Sequence, residues 1–511
     1  MRFIERANNY FIPVHRKGDV TWIGYLDKAK YLATTKTWHI PKTPLNRAIL
    51  QKKGFVQVVG KKKIIPLPKK LKDKLPTNLY RVQVEALEFL YSYGGSGLVS
   101  HKPGMGKTAT SLLYTVLEEV EKVVIVCQAS LKTQWEAQIQ LWLGNQDVYI
   151  MNGQKKQSTD KKFVIVNYEI LSYHIDFLKS ISPDLLIVDE VQFFKNNKAQ
   201  RTKALYALSF KCSRVISLSG SPIERRPVEF YPILHILRAD LFDTFFHYTN
   251  RYCDAHIGKY GWDYDGVSNV EELRDHLKSI MIRRTKSDSM DIPDKMVIPI
   301  MFEMSNEKLY AEEEKKMIEV FGNGNYLENK KSIVYMQYLA YLGKRDSMLK
   351  WIADFISDGN KLIVFAQHRN IVEDIHEYFK GNSVKYYGGM SNTQKQEAKA
   401  KFINGVDLFV ANMQSGGTGL DGLQHVCNTV CVAELGWTST GFDQAVGRVV
   451  RIGQKNEVNV YVPLTKGSIE THIMGIIDKS REITTQILDG VDVKPIDLLK
   501  ELVSICLTNK E

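Results

Sequence analysis

Three groups of residues in this chain have the types and spacing that phosphate chemistry needs. The first is Ser100-His101-Lys102-Pro103-Gly104-Met105-Gly106-Lys107-Thr108. It follows a short apolar run, Gly97-Leu98-Val99, and precedes Ala109 to Leu117, where apolar residues recur at helical spacing. Strand, glycine-bearing loop and helix form the context of a phosphate-binding loop. Gly104 and Gly106, with Met105 between them, let main-chain N–H groups turn toward an anion. The helix start adds partial positive charge, Lys107 brings a cation to the β/γ-phosphates, and Thr108 offers a hydroxyl to Mg²⁺. The pattern is incomplete, because His101 stands where the first glycine of G-x-x-x-x-G-K-[ST] belongs. On this stretch alone, a glycine turn that opens an ordinary helix is the competing reading.

The second group is Leu185-Leu186-Ile187-Val188-Asp189-Glu190, an apolar strand ending in two carboxylates. Beside a phosphate loop, Asp189 would hold the metal and Glu190 would orient and deprotonate an attacking water. The third group is Asp443 to Gln454, with Arg448 and Arg451 three residues apart. On a helix the two would face one way and act as arginine fingers toward a γ-phosphate. A pair of surface arginines is the plain alternative. Glycines at Ser415-Gly416-Gly417-Thr418-Gly419 follow a strand candidate and permit close backbone approach.

These residues need elements to position them. The chain has 511 residues, 44% of them hydrophobic and 25% charged, enough for several packed cores. No apolar run approaches the length of a membrane span, and Met1-Arg2-Phe3-Ile4-Glu5-Arg6 lacks a signal-peptide core. A cytoplasmic, nucleoid-associated location in a bacterial or virus-infected cell is expected. None of the six cysteines forms a C-x-x-C pair. Residues 1–75 hold 18 Lys+Arg and 4 Asp+Glu, a net of +14, against +12 for the whole chain. The basic excess therefore lies in the N-terminal segment, as polyanion binding would require. A solvated lysine-rich face would look the same.

That segment reads as a small α+β module, with strands at Phe11–Val14, Thr21–Tyr25 and Trp38–Pro41 and a helix at Asn46–Lys53. Residues 76–300 alternate strand-like runs with helical patterns, at Gly97–Ser100, Val123–Cys127, Val148–Met151, Phe163–Asn167, Leu185–Val188 and Val215–Ser219. A charged helical linker over 301–350 follows. A second alternation, in 351–466, has strands at Lys361–Ala366, Val384–Tyr387, Leu408–Ala411, Thr429–Ala433 and Val458–Pro463. Residues 467–511 read as a helical brace. The expected class is α/β, with two parallel-sheet domains in tandem, and ligands gather at the carboxyl ends of their strands.

In order, these motifs resemble the Snf2 family of superfamily 2 helicase-like ATPases, over residues 77 to about 475. Leu79-Tyr80-Arg81-Val82-Gln83 is similar to the adenine-reading Q motif. Val124 to Trp135 is similar to motif Ia, and Val164 to Glu169 to the strand-borne Tyr-Glu motif. Ser219-Gly220-Ser221-Pro222 resembles motif III, and Arg451-Ile452-Gly453-Gln454 ends motif VI in its Snf2 form. A finer resemblance to the annealing-helicase (HARP-type) branch lies at Arg251–Ala255, Gly261–Tyr264, Ser268-Asn269 and Met281–Arg284.

The resemblance implies two RecA-like lobes that close over ATP and Mg²⁺. It implies an ATP site of Gln83, Gly104, Met105, Gly106, Lys107, Thr108, Gly419 and Gln444. DNA contacts are implied at Ser130, Lys132, Tyr168, Arg251, Gly416, Gly417 and Thr418. The implied activity is a double-stranded DNA translocase that acts on branched or forked DNA or on protein–DNA complexes. A strand-separating or annealing helicase, and an ATP-gated DNA-binding scaffold, are the rivals. A monomer is expected, with no membrane partner and an unidentified protein displaced from DNA or recruited to it. Two positions depart from the family: an acidic pair is usual where His101-Lys102 stand, and histidine where Gln192 stands. Lys107, Thr108, Asp189 and Glu190 are all kept, so an active ATPase is expected, with Gln192 bearing on coupling to DNA.

Overall fold

The computed structural model describes residues 2–6, 9–13, 30–32, 37–41 and 56–58 as strands. It also describes 64–477, except 156–157, 224–225, 259–260, 265, 285–292, 323–325, 414–419, 421, 437–438, 452 and 476. The N-terminal strands are β1 (Arg2–Arg6), β2 (Asn9–Pro13), β3 (Lys30–Leu32), β4 (Thr37–Pro41) and β5 (Val56–Val58). They form one sheet in the order β3-β4-β2-β1-β5, antiparallel except for the β1–β5 pair. The expected strand at 21–25 and helix at 46–53 lie outside the described residues.

The chain divides into two compact units, Met1–His101 with Gly106–Arg284, and Lys102–Met105 with Thr285–Glu511. The first unit's main sheet uses β6 (Gly97–Val99), β7 (Val123–Cys127), β8 (Val148–Ile150), β9 (Phe163–Asn167), β10 (Leu185–Val188) and β11 (Arg214–Leu218). A two-stranded hairpin, β12 (His256–Gly258) and β13 (Gly261–Asp263), stands apart from it. A short strand, β14 (Met281–Ile282), adds to the edge, giving the order β14-β6-β11-β10-β7-β9-β8 with every pair parallel. Helices cover such a sheet on both faces, so its strands are apolar throughout rather than alternating. All five residues of β7 and of β9 are buried. Leu112, Leu113 and Leu117 of the helix Lys107–Leu117 join Val123, Ile125, Ile165 and Ile187 in one core.

The second unit contains β15 (Lys295–Phe302), β16 (Leu362–Ala366), β17 (Ser383–Tyr386), β18 (Leu408–Asn412), β19 (Thr429–Val432) and β20 (Val458–Thr465). They form a parallel sheet in the order β15-β20-β19-β16-β18-β17. The domain boundary therefore needs correction. Residues 295–300, read as the end of the first lobe, pair with β20 in the second sheet. The segment read as a linker is also part of this unit. It holds the helices Glu307–Gly322 and Tyr326–Ser357, and the latter carries Tyr341, Met348, Leu349 and Ile352 of the second core. Sequence alone undervalues β15 because its side chains are only half-buried or exposed.

The described start of the C-terminal segment is tied down by a buried ion pair. Lys344 and Glu470 are 0% and 1% exposed, with Nζ 2.6 Å from Oε1. Lys344 also donates to Pro463 O, and Glu470 accepts from Thr465 N.

Candidate nucleotide site

Gly104 and Gly106 have φ of +85° and +75°, so the turn that opens the helix Lys107–Leu117 uses glycine's left-handed freedom. A Cβ at Gly106 would come 2.4 Å from Gln83 Nε2, which packs against the loop. Gln83 is buried, accepts from Tyr80 N at 3.0 Å and donates to Gly106 O at 3.5 Å. The expected adenine-reading residue is thus built into the base of the loop. The first N–H groups of the helix have no intrahelical acceptor and suit an anion. Lys107 Nζ donates to His101 O at 2.9 Å, so its charge lies across the loop where phosphates would sit.

His101 explains how the loop closes without its first glycine. The side chain is fully buried, and its ring bonds Val82 O through Nε2 at 3.3 Å. Burial and the nearby Lys107 charge push its pKa down to about 4, so the ring is neutral at physiological pH.

The strand order places the acidic pair. β11 lies between β6, which carries the loop, and β10, which carries Asp189 and Glu190. The residue after β11, Ser219, therefore reaches Gln192, the neighbour of the acidic pair, from the side. Glu190 has φ 44° and ψ 55°, the left-handed region that glycine favours, and caps the short helix Val191–Phe194. A carboxylate side chain in that conformation costs about 1–3 kcal/mol, which surrounding contacts must offset. Gln192 supplies one such contact. Its Nε2 donates to Glu190 Oε2 at 2.7 Å and its Oε1 accepts from Ser219 Oγ at 2.7 Å.

Asp189 is buried, with one donor on each oxygen. Glu190 N donates to Oδ1 at 3.0 Å and Trp135 Nε1 to Oδ2 at 3.0 Å. Tyr168 OH donates to the Asp189 main-chain carbonyl. Burial and the adjacent Glu190 charge raise the Asp189 pKa. A buried carboxylate with a lone pair to spare and a loop hydroxyl, Thr108, fits Mg²⁺. That ion takes one or two protein oxygens and completes its shell with phosphate and water.

Among the expected DNA contacts, Ser130 is exposed in the turn Ala129–Leu131. Lys132 opens the next helix, with Nζ donating to Met151 O at 2.8 Å and Asn152 Oδ1 at 2.6 Å. Tyr168 is 2% exposed, its ring against Phe193 and Phe194. Arg251 is at the surface in an ion pair with Glu272. Gly416, Gly417, Thr418 and Gly419 lie outside the described residues.

In the second unit, the helix Ser439–Val446 carries Gln444, half-buried. Arg448 and Arg451 are not on a helix, contrary to the sequence reading. The helix ends at Val446 and the chain runs on in tight turns, with Val449 N bonding Val446 O at 3.0 Å and Gln454 N bonding Arg451 O at 3.1 Å. Gly447 and the β-branched Val446, Val449 and Val450 disfavour continuation. The Gly453-Gln454 step is structural. A Cβ at Gly453 would meet His425 at 2.7 Å, and buried Gln454 bonds Cys427 O at 3.0 Å and the N–H groups of Lys455 and Asn456.

Two parallel sheets in tandem, the first bearing a phosphate loop and an acidic pair one strand apart, define a nucleotide-binding α/β protein. Residues 82–347 match the SNF2-related domain, and residues 343–453 match the helicase conserved C-terminal domain. The first match covers more than half of the chain, which belongs to the SNF2-related family. It is 30% identical over 465 residues to the Xenopus tropicalis SWI/SNF-related matrix-associated actin-dependent regulator of chromatin subfamily A-like protein 1, covering 87% of this chain and 49% of that protein. It is 27% identical to the Homo sapiens DNA annealing helicase and endonuclease ZRANB3, covering 82% of this chain and 41% of that protein. The chain spans about half the length of these relatives or less. A solved structure, the Sulfolobus solfataricus SWI2/SNF2 ATPase core in complex with dsDNA, aligns with 84% of this chain and 100% of that one at 20% identity, with a TM-score of 0.41.

Trp135 and Ser219 fall inside sequence motifs, but their partners Asp189 and Gln192 are not legible there. No local signal could reveal them, since Trp135 meets Asp189 across 54 residues and Ser219 meets Gln192 across 27. No helix among the described residues is long and apolar enough to cross a membrane.

Proposed function

We propose that this chain is a DNA-dependent ATPase that translocates on double-stranded DNA and remodels branched or forked DNA or protein–DNA complexes. The supporting observation is Lys107 on its glycine loop together with the hydrogen-bonded set Asp189, Glu190, Gln192 and Ser219 at the carboxyl edge of the same parallel sheet. Support for DNA as the partner is family membership, together with a relative named as a DNA annealing helicase.

In this reading Lys107 leaves His101 O for the β/γ-phosphates. Glu190 accepts a proton from water as the water oxygen attacks the γ-phosphorus. The bond to the bridging oxygen breaks and its electron pair leaves with ADP. Gln192 keeps Glu190 aimed. Thr108 and Asp189 would hold Mg²⁺, which neutralises phosphate charge. Arg448 and Arg451 supply further positive charge to the γ-phosphate. Ser130, Lys132, Arg251 and residues 416–418 contact phosphate rather than bases, so binding falls steeply with salt.

The test is steady-state ATP hydrolysis with no nucleic acid, single-stranded, double-stranded and forked DNA, and RNA. Stimulation by duplex or fork supports the translocase. Stimulation by RNA or single strands alone overturns the substrate. No hydrolysis in any condition, with ATP still bound, supports the ATP-gated scaffold. A strand-annealing assay on forks separates the annealing version from simple translocation.

A further inference from the structure

We propose that the Trp135 indole N–H is a positioning group for Asp189, through which engagement of the helix Lys132–Leu143 by DNA reaches the metal-holding carboxylate. The proposal rests on the ATPase reading above. Trp135 has only one polar atom, and it lies 3.0 Å from Asp189 Oδ2 at a buried position. A tryptophan N–H can only donate, so the bond fixes which oxygen face stays open. The opposite oxygen is already fixed by Glu190 N at 3.0 Å. Together the two donors leave the carboxylate one orientation.

The helix that carries Trp135 begins at Lys132 and buries only two side chains, Trp135 and Ile139, one turn apart. Ser130, exposed, and Lys132 sit at its start. A phosphate that draws Lys132 away from Met151 O and Asn152 shifts the first turn of this helix. Trp135 is in that same turn, so its indole moves with it. The Asp189 oxygen follows, because a buried carboxylate has no water to replace the lost donor. Tyr168 holds the Asp189 main chain from another strand end, so the side chain and not the backbone is the part left to move.

The test replaces Trp135 with Phe, which keeps the ring and removes only the donor. Two readings are taken: Mn²⁺ affinity of the complex with a non-hydrolysable ATP analogue, by electron paramagnetic resonance, and the ratio of DNA-stimulated to basal turnover. Loss of about tenfold in each is expected, with DNA affinity within about twofold of wild type. Unchanged metal affinity and an unchanged ratio would make Trp135 a packing residue and overturn the proposal. If the Phe variant does not fold, 3-benzothienylalanine at position 135 gives the same shape without the N–H, with the same expectations. Trp135→His, which restores a donor, should recover part of the metal affinity. Wild-type protein that DNA does not stimulate would instead defeat the ATPase reading itself.

Discussion

Gln192 Nε2 lies 2.7 Å from Glu190 Oε2 and donates to it. The same amide accepts from Ser219 Oγ, so the residue that replaces the family's usual histidine still joins the acidic pair to the Ser219-Gly220-Ser221 turn. A neutral imidazole can do the same, since it has one donor and one acceptor. The amide does it without titrating. Gln192→Ala should cut DNA-stimulated turnover about tenfold, the worth of a hydrogen bond to a charged group. Gln192→His should work at pH 8 and fail below about pH 6.5, where the protonated ring can no longer accept from Ser219. Turnover measured from pH 5.5 to 8.5 checks this, with the His variant falling at a higher pH than wild type.

Glu190 separates chemistry from stability. Glu190→Gln should reduce turnover by at least about 10²-fold, the usual loss when a general base is removed. Glu190→Gly should be equally inactive. Its melting temperature should equal or exceed wild type, because glycine accepts a φ of 44° without strain. A Gly variant that melts well below wild type would mean that the Gln192 bond outweighs the backbone strain. Lys107→Ala should likewise abolish turnover and leave the fold intact.

Arg451 tests the second unit. If it supplies charge to the γ-phosphate, Arg451→Ala should cost roughly 10³-fold in turnover with ATP affinity little changed. A loss below about tenfold would make it part of the turn that Gly453 and Gln454 build.

His101 should give the protein an acid limb. Its folded pKa of about 4 lies below the ordinary histidine value of 6.5. Stability is therefore complete above pH 6.5 and is lost as pH falls toward 4, as the unfolded chain takes up a proton that the folded ring refuses. The full loss is about 3 kcal/mol. Lys107 and Arg284 reinforce it, and Glu85 opposes it. Denaturant melts at pH 7.5 and 4.5 should show a smaller pH effect in His101→Gln than in wild type.

The Lys344–Glu470 pair should behave as buried charges do. Lys344→Met leaves Glu470 alone at 1% exposure and should cost about 3–5 kcal/mol. Lys344→Met with Glu470→Leu should recover most of that loss. A double-mutant cycle on urea denaturation measures the coupling.

Much of this was legible in sequence. Most strands of the two main sheets are continuous apolar runs, and Val123–Cys127, Phe163–Asn167 and Leu185–Val188 have the same ends in sequence and structure. Such runs are visible because both faces of a parallel sheet are covered. β15 escaped because it alternates weakly at a half-exposed edge, and the Arg448 turn escaped because helical spacing does not reveal where a helix stops.

The sequence by itself determined the chemistry: which carboxylates, which lysine and which glycines, since loop and strand signals are local. Only the tertiary structure decided how they are held. The order β6-β11-β10 brings Ser219 to Gln192, and the β7–β9–β10 neighbourhood brings Trp135 and Tyr168 to Asp189. Those contacts join residues 21 to 54 positions apart, and strand order, which no local pattern encodes, sets them.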